Sequence, residues 1–171
     1  CLAVGAHKSR RLAVDGEDAS GVEQALCFLR RVYVEGDKRV GARVVVVGGG
    51  DAAIDAARTA LRLGAKDVVI AYRRSASEMP ASRDEISAAL AEGVRIEYQL
   101  APVGFDVAGG KVVAARCART ELGEKDGGGR RRPVIVAGSE RALETDHVIV
   151  AVGQEMDAGP LAGDIALAVT K

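Results

Sequence analysis

An α/β fold is what the 171-residue sequence predicts: a parallel sheet with helices on both faces, followed by an antiparallel three-stranded β meander. Three observations lead there. Arg43–Val47 (RVVVV) and Asp67–Tyr72 (DVVIAY) are short β-branched runs without polar alternation, as in strands buried on both faces. Between them stand Gly48-Gly49-Gly50 and a stretch from Asp51 to Leu63 that places Ile54, Ala57 and Leu61 on one helical face and stops at Gly64. Beyond residue 100 the pattern changes to successive strands joined by glycine turns.

Composition is that of a folded domain. Hydrophobic residues make up 48% of the chain, and 24 basic and 24 acidic side chains balance, which excludes a disordered chain. The absence of net charge argues against a general nucleic-acid or membrane-surface binder. No apolar run approaches the roughly 20 residues of a membrane span. Cys1, Cys27 and Cys117 are far apart, odd in number and outside any C-x-x-C or His/Cys cluster. That points to a reducing, cytoplasmic setting and to no metal or iron–sulfur site built by these residues alone. His7 and His147 are isolated and read as surface or packing residues.

In chain order, Cys1–Gly5 reads as an apolar strand already in progress, so the chain is expected to be a segment of a longer polypeptide. His7–Gly21 is polar and turn-rich. Val22–Tyr33 has helical spacing, with Ser20 and Glu23 placed to form a capping box. Glu35–Gly41 is a turn before the first buried strand. Ser82–Glu92 is a second capped helix, opened by Ser82 and Glu85 and stopped by Gly93, and Val94–Leu100 is an alternating strand. Val103–Val107, Lys111–Thr120, Arg132–Ala137 and Ala142–Val152 follow as strands, with turns at Gly109-Gly110 and Asp126–Gly129. Leu2–Ala6 (LAVGA) and Val150–Gln154 (VAVGQ) are nearly the same phrase at opposite ends of the chain.

The chemistry is concentrated in Gly48, Gly49, Gly50, Asp51, Ala52 and Ala53, a G-x-G-x-x-A pattern between a strand and a helix. In a Rossmann-like unit the first glycine of such a pattern allows a tight turn. The next lets backbone approach a pyrophosphate, and the small third residue lets the helix pack on the strand. The N–H groups of the first helical turn then face the phosphates. No Gly-Lys-Ser/Thr follows, so the turn is not a P-loop. At the end of the second strand, where an NAD enzyme carries an acid, stand Arg73 and Arg74, whose fork geometry suits the 2′-phosphate of NADPH. Asp51 is expected to cap the helix or to bond backbone near the nicotinamide end, and Glu78–Ala81 forms a loop at the strand ends. Arg130-Arg131-Arg132-Pro133 reads as a solvated hairpin. No side chain reads as a general acid, base or nucleophile.

The segments GGGDAAIDAARTALRLGAKDVVIAYRR, EMPASRDE, EGV, RTELGEKDGGGRRRPV and VIVAVGQ resemble, in order and spacing, the small subunit of NADPH-dependent glutamate synthase and its relatives, from Leu2 to about Leu167. The resemblance implies an FAD domain interrupted by an NADPH domain, with two crossovers between them. Residues 1–36 would then be the first crossover and linker, residues 37–150 the NADPH domain, and residues 151–171 the second crossover. Ala151, Val152 and Gly153 match the second crossover phrase, and Gly48 to Ala53 with Arg73 and Arg74 match the nucleotide turn and 2′-phosphate pair. Ala52 departs from the Thr usual there. The implied function is hydride transfer from NADPH to FAD and onward to iron–sulfur centres. The implied partners are the FAD domain and an iron–sulfur protein or one resembling the glutamate synthase large subunit. By this reading the segment alone binds NADPH without turnover. The alternative is a non-catalytic nucleotide-binding sensor or scaffold, against which the two crossover phrases argue. A thioredoxin-reductase-like enzyme is disfavoured by the missing C-x-x-C.

Overall fold

The computed structural model describes residue 6, residues 8–125 and residues 130–155. The expected opening strand, His7 and the Asp126–Gly129 turn lie outside the described residues. Five parallel strands form the central sheet: β2 (Val22–Gln24), β3 (Arg43–Gly48), β4 (Asp67–Tyr72), β5 (Arg95–Tyr98) and β10 (His147–Ala151), in the order β2-β10-β3-β4-β5. Helices α1 (Ala25–Tyr33), α2 (Asp51–Arg62) and α3 (Arg83–Glu92) make the crossovers between β2 and β3, β3 and β4, and β4 and β5. The unbroken valines of β3 are buried because both faces of the strand are covered.

All three crossovers run across the sheet in the same direction, so right-handed connections put all three helices on one face. There Phe28 and Val32 of α1, Ile54 and Ala57 of α2 and Ala89 of α3 pack on Val44, Val46, Val68, Ile70 and Ile149. The return from β5 to β10 runs the opposite way and so must cross the other face. That connection is an antiparallel sheet: β6 (Leu100–Ala108), β7 (Lys111–Lys125) and β8 (Arg131–Ile135), with β9 (Arg141–Glu144) also paired to β7. Leu100, Phe105, Val112, Ala115 and Cys117 pack on Val45, Val47, Ala71, Val148 and Val150. Helices therefore occupy one face rather than both, because the chain must come back across the second face and does so as strands.

Other local expectations also change. The helix expected from Val22 starts at Ala25, since Val22–Gln24 pairs in parallel with Val148–Val150 as an edge strand. Ser20 makes no cap there: its N–H donates to the Gly110 carbonyl and its carbonyl accepts from Val112. Ser82 precedes α3 without a side-chain cap, and Glu85 pairs instead with Arg58. The single strand expected over Ala142–Val152 is two, so the meander has four strands instead of three. Between them the buried Thr145 hydroxyl bonds the Arg43 carbonyl at 2.8 Å, while Asp146 accepts the Arg43 N–H at 3.0 Å. This corner hands the chain from one sheet to the other. Likewise Gln99, at φ 53°, breaks Val94–Leu100 into the end of β5 and the start of β6.

The ends of the described chain meet. Strand β1 (Lys8–Ser9) pairs antiparallel with β11 (Gln154–Glu155), and the Arg10 N–H donates to the Gly153 carbonyl. Between β1 and β2, residues 10–21 wrap the buried Glu17 carboxylate, which accepts the N–H groups of Leu12 and Ala13 at 2.8 Å each. Isolated bridges, Asp15 to Gly104 and Ser20 to Lys111, hold this segment to β6 and β7.

Candidate functional site

The carboxyl ends of β3, β4 and β10 open into a cleft of about 830 Å³. Gly48, Gly49, Gly50, Asp51, Ala52, Arg73, Arg74, Ala151, Val152 and Gly153 all line it. Ala53, the remaining expected residue, is fully buried beneath, where its small side chain lets α2 sit close to the sheet. Parallel pairing sets Ala151 opposite Gly48, so the end of β10 forms one lip of the glycine turn.

The three glycines differ in what surrounds them. Gly48 has φ +143°, and a Cβ there would lie 2.3 Å from the Ala151 carbonyl oxygen. A Cβ on Gly49 would lie 2.4 Å from the Tyr72 ring. Both are required by the protein's own packing. Gly50, the N-cap of α2, has φ −89° and ψ 177°, an extended conformation open to any residue. A Cβ there would meet nothing within 4 Å. The fold's packing therefore does not require glycine at position 50, which lines the cleft. The N–H groups at the start of α2 and the positive end of its dipole lie at this turn, the arrangement that suits an anion.

A second loop braces the turn. The Ala81 N–H donates to the Gly49 carbonyl at 3.2 Å, and Asp51 Oδ1 accepts the Ser82 N–H at 3.0 Å. The Tyr72 hydroxyl donates to the Glu78 carbonyl at 2.7 Å. Asp51 is thus the first residue of α2 and not its cap, and its carboxylate ties α2 to the entry of α3. Glu78–Ala81 acts here as a support against the turn, with Pro80 reaching the cleft wall.

Arg73 and Arg74 have different environments. Arg73 is exposed on the cleft. Partial desolvation, then the charge of Arg74, and also that of Arg130, push its guanidinium below the ordinary arginine range. Arg74 is buried at 8% exposure, and its Nε donates to the Arg131 carbonyl at 2.9 Å. The backbone of the pair is pinned from the antiparallel sheet: the Thr120 hydroxyl donates to the Arg73 carbonyl at 2.8 Å and the Gln99 N–H to the Arg74 carbonyl at 3.0 Å.

Sequence reasoning missed part of the wall. Arg130, Pro133 and Ile135 from the start and body of β8 line the cleft, as do Arg10 and Thr120. The run read as a solvated hairpin thus contributes Arg130 and Pro133 to the site. The signal was present in its charge, but nothing local showed that the hairpin folds back over the end of β4. His147 is a packing residue: buried, with Nδ1 accepting the Gly41 N–H at 3.2 Å, Nε2 2.8 Å from Glu23 Oε1, and its ring edge-on to Phe28.

Comparison with known proteins agrees with this architecture. The family described as "Pyridine nucleotide-disulphide oxidoreductase" matches residues 1–170. The beta subunit of the NADPH-Fe(3+) oxidoreductase of Geobacter sulfurreducens is 43% identical over 174 residues, covering 99% of this chain and 26% of that protein. The small chain of NADPH glutamate synthase from Escherichia coli is 46% identical over 164 residues, covering 89% of this chain and 35% of that protein. Among solved structures, Mycobacterium tuberculosis FprA in complex with NADPH superposes with a TM-score of 0.73 at 23% identity, over 89% of this chain and 49% of that one, a likeness of fold. The chain spans only 26% and 35% of the length of these two curated relatives. On a match that runs through almost all of its residues, the chain belongs to the pyridine nucleotide-disulphide oxidoreductase family.

Proposed function

We propose that this chain is the NADPH-binding domain of a flavin-dependent oxidoreductase, holding NADPH for hydride transfer to FAD, with onward electron flow to iron–sulfur centres. The observation that carries the reading is Gly50: its backbone is unstrained and its missing Cβ opens into the cleft, as close approach of a pyrophosphate requires. Bound NADPH would supply the hydride and FAD would accept it; the residues here bind and orient. In this reading Gly48 to Ala53 form the diphosphate cradle, Arg73 and Arg74 define the 2′-phosphate end, and Ala151, Val152 and Gly153 form the lip leading toward the flavin.

The paired ends support insertion into a second domain. With β1 against β11, the chain enters and leaves side by side, the arrangement that inserted domains use. In this reading the boundaries are those of the sequence, residues 1–36, 37–150 and 151–171, except that β2 and α1 are assigned to the NADPH domain because they pair with and pack on its sheet. The relatives named as a glutamate synthase small chain and an NADPH-Fe(3+) oxidoreductase beta subunit support an FAD domain and a partner subunit as the surroundings. A cytoplasmic setting is supported by the free thiols of Cys27 and Cys117. Among the described residues no helix is long and apolar enough to cross a membrane.

Gly50→Val tests the core of this proposal. A Cβ at this position meets open space, so the variant is expected to stay folded, with only the modest loss of melting temperature that a poorer N-cap brings. Nucleotide affinity, measured by calorimetric titration with NADPH, is expected to fall on the order of a hundredfold, about 2.7 kcal/mol. Undiminished NADPH binding by a folded Gly50→Val protein would overturn the assignment of the cradle.

A further inference from the structure

We propose that Asp51 is a positioning residue for the diphosphate of NADPH. By accepting the Ser82 N–H it holds the loop of residues 78–82 in place, so that the Ala81 N–H pins the Gly49 carbonyl and the Gly50 N–H is kept free for a phosphate oxygen. The inference rests on the reading of the cleft as an NADPH site. It assigns the shape of the glycine turn to a loop 31 residues further along the chain.

Three observations lead there. The peptide between Gly49 and Gly50 joins two residues without side chains, so it is the part of the turn most free to rotate. Its carbonyl is bonded to the Ala81 N–H at 3.2 Å, and in a trans peptide the N–H points the opposite way. Among the described residues the Gly50 N–H has no protein acceptor, and Gly50 lines the cleft. Rotated the other way, the same peptide would offer a carbonyl oxygen to the phosphate and repel it. The loop that supplies Ala81 is fastened on both sides of that residue. The Tyr72 hydroxyl holds the Glu78 carbonyl, and Asp51 Oδ1 holds the Ser82 N–H, so Asp51 is the fastening that springs from the glycine turn itself. Asp51 also lines the cleft in the first turn of α2, where its charge competes with a diphosphate for the positive end of the helix. As a charge alone it would weaken binding. As the acceptor for Ser82 it presets the Gly50 donor and removes the cost of ordering that peptide in the complex.

The experiment compares wild type, Asp51→Ala and Asp51→Asn of the 171-residue chain. Each is titrated calorimetrically with NADPH and with adenosine 2′-monophosphate, which has no diphosphate, and amide hydrogen exchange is followed by NMR in the free proteins. Asparagine keeps an oxygen that can accept the Ser82 N–H and drops the charge; alanine drops both. Asp51→Ala is expected to bind NADPH about tenfold more weakly, the scale of a lost hydrogen bond to a charged group, with the Ala81 and Ser82 amides exchanging faster. Asp51→Asn is expected to keep both amides protected and to bind NADPH no more weakly than wild type, and up to about fivefold more tightly, the scale of one charge interaction in water. Adenosine 2′-monophosphate is expected to bind all three proteins alike. An Asp51 that acted only as a charge on the helix end would give tighter NADPH binding in both variants, and that result overturns the inference while the site reading stands. So does Asp51→Asn binding as weakly as Asp51→Ala, an Ala81 amide that stays protected in Asp51→Ala, or an equal loss for both ligands. Wild-type protein that binds NADPH no better than adenosine 2′-monophosphate would overturn the reading of the turn as a diphosphate cradle, and the inference with it.

Discussion

Arg73 and Arg74 are neighbours of one residue type, and the fold gives them different work. Arg73 stands on the open cleft and carries a charge that its surroundings disfavour, whereas Arg74 is folded inward and bonded to backbone. The loss of Arg73 should therefore read out mainly in the bound state. Arg73→Ala is expected to weaken NADPH by about 1.5–3 kcal/mol, the range for a hydrogen bond to a charged group, and to leave NADH nearly untouched. Parallel titrations with the two nucleotides check this, and an equal loss for both would remove Arg73 from the 2′-phosphate end. The three glycines make the same point. In sequence they are one motif, but Gly48 is bare because of the Ala151 carbonyl and Gly49 because of the Tyr72 ring, whereas a Cβ on Gly50 would meet nothing within 4 Å. The motif and its place between a strand and a helix were legible in the sequence because they are local. The partners that distinguish its members come from β10 and β4 and were not.

At the scale of elements, buried strands and the helix between them were readable because burial on both faces leaves an unbroken apolar run, and β3, α2 and β4 end within a residue of where the pattern places them. The start of α1 was not, because Val22 satisfies helical spacing and strand pairing equally well. What decides is the open edge of β10, which takes Val22–Gln24 as a parallel neighbour. That choice also places Glu23 where no capping box would. Burial works against its charged form, but hydrogen bonds from His147 and Arg31 outweigh it and hold the carboxyl below its ordinary value. Phe28 sits within this junction, fully buried, with His147 edge-on at 5.8 Å and the Arg31 guanidinium 5.5 Å from the ring centroid. Phe28→Ala is expected to cost about 3–5 kcal/mol of stability, as large core truncations do. Chemical denaturation checks it, and a loss below about 1 kcal/mol would mean that α1 is not docked through this residue.

At the scale of the molecule, handedness explains what periodicity could not. Three helical crossovers advance across the sheet and one non-helical crossover returns, so the two faces must carry different material. No window of sequence contains that constraint. One consequence is that the helical layer forms the outer wall, where α2 and α3 are fastened to each other by charge. Arg58 donates to Glu92 Oε1 at 2.7 Å and Arg62 to the same oxygen at 2.6 Å, and Arg58 also reaches Glu85. Hydrogen bonds from Arg58 and then Arg62 lower the Glu92 carboxyl from the ordinary 4.5 to about 2. A depressed folded-state value stabilises the charged form, so this contribution is fully present above the unfolded-state value and is lost as pH falls through the folded one. The window therefore runs from about 4.5 down to about 2. Because α2 and α3 pack on one continuous core, its loss should lower the melting temperature of the whole chain. Glu92→Gln removes the titrating group while keeping the shape. Wild type is expected to melt higher than the variant at pH 6, with the two curves converging as pH approaches 2. The pair are solvent-facing, so added salt should shrink the difference at pH 6 as well. A gap that stays constant between pH 6 and pH 2 would show that Glu92 acts through packing, and that the helical layer is held by its apolar face alone.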